Sequence, residues 1–276
     1  MRVDRNRIAL GSYHYFRYPL DYFLDTAVEL EVPAVELWAA APHLCLELIS
    51  DRELRAIRGQ LRDRGLRVCC VTPEQCTYPV NLATEEETLR RYSIQTFQRA
   101  IQAAALLEAP LVLVTAGCGY FNRPREEAWE RSADSLNQLA RYAQAHGVRL
   151  ALETLTPLSS NILNTPEQQR EMLKRLPPGS ALPMLDIGQM AYMNQDLSRY
   201  LAHGPALGHV HLHDSHPNIH MALGDGDLPI ADYIARLEEA GYRGMYAFEC
   251  NDAAYRQDPR AADRQNIAWL ESHNIL

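Results

Sequence analysis

The sequence predicts a single α/β domain, a (β/α)8 barrel running through residues 1–276. Three observations carry that prediction. Short apolar runs alternate with longer runs of helical period along the whole chain. They do so eight times, at a spacing of about 30–35 residues, and eight such units close a parallel sheet into a barrel. No Gly-x-Gly-x-x-Gly follows the first run, which weakens the rival open, doubly wound sheet.

The strand candidates are 7–11, 34–38, 66–72, 111–115, 148–153, 181–186, 207–212 and 244–249. Each has the length and apolar content of a strand buried on both faces. Between them, 51–64 places Leu54, Ile57, Arg58 and Leu61 along one mostly apolar helix face, and 85–107 and 125–146 repeat the pattern at greater length. Gly65, Gly147 and Gly241 stand where helices end before strands, positions that favour a left-handed residue. Thr84 with Glu87, and Thr165 with Gln168, read as helix starts, the second with Pro166 at the first helical position.

Composition narrows the function. The chain is 47% hydrophobic and 22% charged, as expected of a packed globular protein. Its 27 basic and 35 acidic side chains leave a net charge of −8, which argues against a nucleic-acid partner. The sole lysine, Lys174, carries no functional message. The six cysteines contain no Cys-x-x-Cys pair and read as reduced thiols. No apolar signal core follows Met1, and the most apolar stretch, 103–118, is broken by Glu108 and Pro110. The expectation is a soluble, cytoplasmic protein without a membrane partner.

In this architecture the active site lies at the carboxyl ends of the strands. Strand 5 ends in Glu153, strand 6 in Asp186 and strand 8 in Glu249, while strand 7 carries His209, His211 and His213 on one face. Three carboxylates meeting at an apolar barrel mouth repel one another unless a cation sits among them. Two Glu, one Asp and one imidazole form an oxygen-rich set suited to Mn²⁺, Mg²⁺ or Co²⁺, with Zn²⁺ also accommodated. Two residues of strand rise separate successive histidines, so one of the three, His211, is assigned to the ion. His209 then lies deeper as a hydrogen-bonded core residue, and His213 above the ion. The pair Glu153 and Glu249 is able to take a proton from one face of a carbon and return it to the other. That is epimerisation, or aldose–ketose isomerisation if the proton returns to the neighbouring carbon; water activation for hydrolysis remains open.

Other rim residues have two readings each. Glu36 and Glu74 end strands 2 and 3, where substrate hydroxyl binding and strand capping both fit. His43 and His220 occupy loops that either close over substrate or stay solvated. Trp38, Tyr78 and Tyr120 offer an apolar wall, or simple packing.

These residues resemble the xylose isomerase-like TIM-barrel superfamily, and especially its ketose 3-epimerases. The resemblance is carried by Leu152-Glu153, Leu185-Asp186, His209-Val210-His211 and Phe248-Glu249. Glu36-Leu37-Trp38, Pro42-His43, Thr72-Pro73-Glu74, Tyr78-Pro79, Leu155-Thr156-Pro157, Asp214-Ser215 and Gly224-Asp225-Gly226 are similar to the fructoselysine 3-epimerase branch. The resemblance implies one divalent ion, Mn²⁺ first and otherwise Co²⁺, Mg²⁺, Ni²⁺ or Zn²⁺, held by Glu153, Asp186, His211 and Glu249. It makes Glu153 and Glu249 the catalytic pair on a small sugar, in a homo-oligomer (dimer or tetramer). Trp38, His43, Glu74, Tyr78, Gln189 and His220 are the substrate-binding candidates. The chain departs from the free-ketose enzymes, which have His, Glu and Arg where it has Gln189, Ser159 and Pro217; these positions grip the hydroxyls near C1 and C2.

Three other activities are alternative readings: an aldose–ketose isomerase, which would share every metal residue, an inosose-type dehydratase and, more remotely, an AP endonuclease. Asn218-Ile219-His220 with Leu223-Gly224-Asp225-Gly226 is similar to the late metal motif of that nuclease branch. Gly117 and Gln189 stand where its additional histidine ligands are required, and a −8 chain lacks the basic surface that phosphate contact needs.

Overall fold

All eight apolar runs become strands, and the strands close on themselves. In the computed structural model, which describes residues 2–75, 80–216 and 218–276, they are β1 Ile8–Gly11, β2 Ala34–Ala39, β3 Arg67–Pro73, β4 Leu111–Val114, β5 Arg149–Leu152, β6 Ala181–Asp186, β7 His209–Leu212 and β8 Met245–Phe248. Every neighbouring pair is parallel, and β1 pairs with β8 to close the barrel. The helices are α1 Leu20–Glu29, α2 Asp51–Asp63, α3 Glu87–Leu107, α4 Arg125–Ala145, α5 Pro166–Lys174, α6 Ile187–Tyr192, α7 Leu197–Leu201, α8 Ile230–Glu239 and α9 Pro259–Ser272. The result is a single-domain α/β barrel. Among the described residues no helix is long and apolar enough to cross a membrane.

Local chemistry explains most boundaries. Gly65, Gly147 and Gly241 take φ of +67°, +71° and +83°. Behind each, the next amide reaches back into the helix, as from Leu66 N to Leu61 O at 2.9 Å, and satisfies a carbonyl the helix leaves open. Thr165 and Gln168 form the expected reciprocal cap with Pro166 at the first turn. Ser50 and Glu53 form another before α2. The expected start at Thr84 is corrected: its hydroxyl accepts from Glu86 N, makes a turn, and α3 begins only at Glu87. At the far end of α3, Glu108 adopts φ +61° without any glycine, which no sequence signal announces.

Strand alternation sets up the site. Outward residues such as Val35, Val71, Val112, Leu152, Leu185 and Val210 pack in the core beneath the helices. Inward residues, including Ala9, Ala34, Leu113, Ala151, Met184 and Ala247, fill the barrel interior. Two residues further along the same inward face come Glu36 after Ala34, Glu153 after Ala151, Asp186 after Met184, and Glu249 after Ala247. His209 and His211 occupy that face on β7. The apolar plug thus gives way to titratable groups within one layer.

Candidate metal centre and active site

Asp186 pairs with His211 in the β6–β7 register, and His211 pairs with Ala247 across β7–β8. β5 and β8 end one position short of expectation, so Glu153 and Glu249 stand one residue past their strands, where the chain turns into the loops. The donor atoms of Glu153, Asp186, His211 and Glu249 all lie within 4.8 Å of one another. Ligands about 2.1 Å from one ion stand at most about 4.2 Å apart, so this spread needs only a small contraction to bind one.

Electrostatics tests the fit. Burial, then the neighbouring carboxylates of Asp186 and Glu249, push the Glu153 carboxyl well above its usual range. Burial also opposes charge on Asp186, but His213 and His211 outweigh it and hold that carboxyl well below its ordinary value. His211 loses to burial yet gains more from Glu249 and Glu36, so its pKa is raised. Its Nδ1 lies 2.7 Å from Glu249 Oε2 and 3.7 Å from Asp186 Oδ2, buried and without a well-formed hydrogen bond. Three carboxylates crowded around an orphaned imidazole nitrogen, with burial opposing charge on Glu153 and Asp186, are what a divalent cation would satisfy, and the residues present fit one.

Glu36 is not a rim residue. It is fully buried within β2, beneath the cluster. Its Oε2 accepts from His209 Nε2 at 2.6 Å, and its Oε1 from His211 Nε2 at 2.9 Å, from Tyr13 Oη at 2.8 Å and from the Thr72 hydroxyl. Although burial opposes its charge, His211 and His209 hold its carboxyl well below the usual range. Glu36 thereby fixes the proton of His211 on Nε2 and turns Nδ1 toward Glu153, Asp186 and Glu249, the role a carboxylate plays behind a ligand histidine. Replacing it by Gln puts an N–H donor among four donors. The expected result is about 10–100-fold weaker metal binding by titration calorimetry, together with about 3 kcal/mol of lost stability in urea unfolding.

On the other side of Asp186, His213 Nε2 lies 3.1 Å and 3.3 Å from its two oxygens. Asp186 Oδ1 also accepts from Gln189 N at 2.6 Å, capping α6. Two groups, the His213 ring and the Gln189 amide, therefore hold this carboxylate in place. Gly188 leaves the room for it: a Cβ there would stand 2.0 Å from His213 Cε1. Gly188→Ala should displace His213, cost about 1–3 kcal/mol in unfolding experiments, and weaken metal binding.

A cavity of about 220 Å³ opens above the cluster, walled by Tyr13, Trp38, Leu113 and Leu155 and reached by Glu153, Glu249, Gln189 and His220. Of the substrate-binding candidates, Trp38, Glu74, Gln189 and His220 line it. Gln189 is held by its Oε1, which accepts from Thr156 N at 3.0 Å, and the Glu74 carboxylate accepts from Gln75 N at 3.0 Å. His220 takes φ +63° in the β7 loop, which Asp214 pins by accepting from the amides of Ser215, Gly224 and Leu228. Burial lowers the His220 pKa, favouring the neutral ring. His43 does not join them: it is absent from the wall, and its Nε2 bonds to the Tyr18 carbonyl at 2.7 Å, bracing two loops together. Tyr78 lies outside the described residues. Tyr120 is half exposed and outside the cavity. Tyr13, which the sequence did not single out, is brought in by the turn after β1, where nothing but an aromatic residue marks it.

Comparison with known proteins agrees with this picture. Fructoselysine 3-epimerase of Shigella flexneri is 27% identical over 254 residues, covering 91% of this chain and 92% of its own length. D-psicose 3-epimerase of Agrobacterium fabrum is 23% identical over 234 residues, covering 82% and 78%. The solved structure of an L-ribulose 3-epimerase superimposes with a TM-score of 0.83 at 20% identity, covering 97% of this chain and 94% of that one. The family described as xylose isomerase-like TIM barrel matches residues 24–273. The chain belongs to that family.

Proposed function

We propose that this protein is a divalent-metal-dependent sugar epimerase that inverts the carbon beside a ketose carbonyl, C3 of a ketose or of a ketosamine such as fructoselysine. One observation carries the reading: Glu153 and Glu249 enter a single cavity from β5 and β8, with Asp186 and His211 between them in strand order. The 3-epimerase relatives of similar length support it.

Glu153, Asp186, His211 and Glu249 would hold the ion, with Mn²⁺ the first choice for an oxygen-rich set. When bound, it would polarise the ketose carbonyl and stabilise the negative charge that develops there. The chain's own groups do the proton work. One glutamate removes the C3 proton from one face, and the other delivers a proton to the opposite face; the roles exchange in the reverse reaction. Tyr13, Trp38, Leu113 and Leu155 wall the reacting carbon, and Glu36 and His213 keep the ligand side chains from rotating.

The test is isotope exchange. The Mn²⁺-loaded protein is incubated in D₂O with ketohexoses, ketopentoses and fructose–amine adducts, and the label is located by NMR after metal removal. Deuterium at C3, with the C3 epimer appearing, is the expected result. Label at C1 or C2 would make the protein an aldose–ketose isomerase, and no exchange with metal bound would overturn the epimerase.

A further inference from the structure

We infer that the cluster holds a second divalent cation, bound by His213 and His220 with Asp186 and Glu249 as bridges to the first. The inference rests on the metal assignment of the proposed function and adds another ion to that centre.

The donor atoms of Asp186, His213, His220 and Glu249 lie within 4.8 Å of one another, the same spread as those of Glu153, Asp186, His211 and Glu249. Two carboxylates belong to both groups, and each stands between two imidazoles. Asp186 Oδ2 lies 3.7 Å from His211 Nδ1, while its Oδ1 lies 3.1 Å from His213 Nε2. Glu249 Oε2 lies 2.7 Å from His211 Nδ1 and 3.6 Å from His220 Nε2. Carboxylates placed in this way suit a pair of ions about 3.5–4 Å apart. His220 Nε2 is a buried atom without a hydrogen-bond partner, the state in which His211 Nδ1 also stands. Each candidate site thus has one imidazole nitrogen left for an ion to satisfy.

Backbone pairing builds the second group. Asp214 N donates to Met221 O at 2.8 Å, and Met221 N returns the bond to Asp214 O at 3.0 Å. This bridge sets the preceding residues, His213 and His220, against each other with ring centroids 4.5 Å apart. Asn251 N donates to His220 O at 3.1 Å, which ties the loop to the segment after Glu249. His213 Nδ1 lies 3.0 Å from the Asp214 carbonyl. A proton donated there leaves Nε2 free as the ligand atom facing Asp186, as a backbone carbonyl does behind many ligand histidines.

Charge and ligand type set what would bind. Three carboxylates around one divalent ion leave a negative charge over, with the Glu36 carboxylate buried beneath them. A second ion offsets it. Two imidazoles and two carboxylates form a more nitrogen-rich set than one imidazole and three carboxylates, so this site favours Zn²⁺ or Co²⁺ over Mn²⁺ or Mg²⁺. His220 lines both the 220 Å³ cavity and a neighbouring one of about 420 Å³, which gives an ion a way in.

The experiment uses the full chain, stripped of metal and titrated with Zn²⁺ alone by calorimetry. Metal content is measured after dialysis, and the ions are located in crystals by anomalous scattering at the zinc edge. Two ions per chain are expected, about 3.5–4 Å apart, with the second on His213 and His220. His220→Ala should lower the content from two ions to one. The remaining ion should lie on Glu153, Asp186, His211 and Glu249, with its affinity changed by about tenfold or less. If that variant does not fold, the anomalous map of the parent chain decides alone. One ion in the parent, or a second that lies elsewhere or is kept with unchanged affinity in His220→Ala, overturns the second site and leaves the epimerase standing. Two ions at the expected positions, in a chain that shows no C3 exchange with Mn²⁺, sustain the second site and overturn the epimerase. No bound ion overturns both.

Discussion

Glu249→Gln and Glu153→Gln should each lower the epimerisation rate by about a thousandfold, within the range that a positioned acid–base group contributes. The amide preserves shape and one oxygen ligand but neither accepts a proton from carbon nor returns one. The two variants should differ in a second respect. Burial and the adjacent Asp186 and Glu249 already favour the protonated form of Glu153 in the metal-free protein. Glu153→Gln therefore replaces a group whose charge the site opposes, and the metal-free variant should be at least as stable as the parent. Thermal melts with and without Mn²⁺, beside kinetics on the same preparations, separate the effects. A variant that keeps full exchange activity would remove its glutamate from the proton-transfer pair.

Removing the metal should abolish turnover and lower the melting temperature. For an ion present at about a thousand times its dissociation constant, binding contributes about 4 kcal/mol, or about 10 °C for a domain of this size. The gap should widen as the pH rises. Glu153 and His211 have pKa values raised in the folded metal-free cluster, so they hold protons more tightly there than in the unfolded chain. Stability from such groups is present at low pH and is lost as the pH climbs through their folded values. The ion displaces those same protons, so its affinity rises with pH while the metal-free fold loses that support. Calorimetry in buffers of different ionisation enthalpy would count the released protons. A gap that narrows from pH 6 to pH 8 would contradict this assignment of the ligands.

The charge crowding behind both predictions was visible in the sequence because each carboxylate ends a recognisable apolar run. Parallel strands in a barrel present their carboxyl ends to one rim, so strand ends alone place Glu153, Asp186 and Glu249 together. His211 followed from the two-residue period of β7, which also put His209 deeper, where it bonds to Glu36. Glu36 itself was misplaced at the rim. Its inward position follows from β2 running on to Ala39, and its partners come from β7, β3 and the turn after β1. A sequence reading has no access to contacts between segments so far apart.

The sequence by itself determined the alternation of strands and helices, the glycine-terminated helices and the identity of the strand-end carboxylates, because these depend on local periodicity and backbone preference. Only the tertiary structure decided how those groups are held. Barrel closure brings Glu36 beneath His211, stacks His213 against Asp186 through the gap at Gly188, and sends His43 to the Tyr18 carbonyl instead of the cavity. Closure also sets the β7 and β8 loops side by side around a second cavity of about 420 Å³. The physical reason is the same in each case: hydrogen bonds, burial and the pKa values they shift depend on distances of a few ångströms between residues that the chain separates by tens or hundreds of positions.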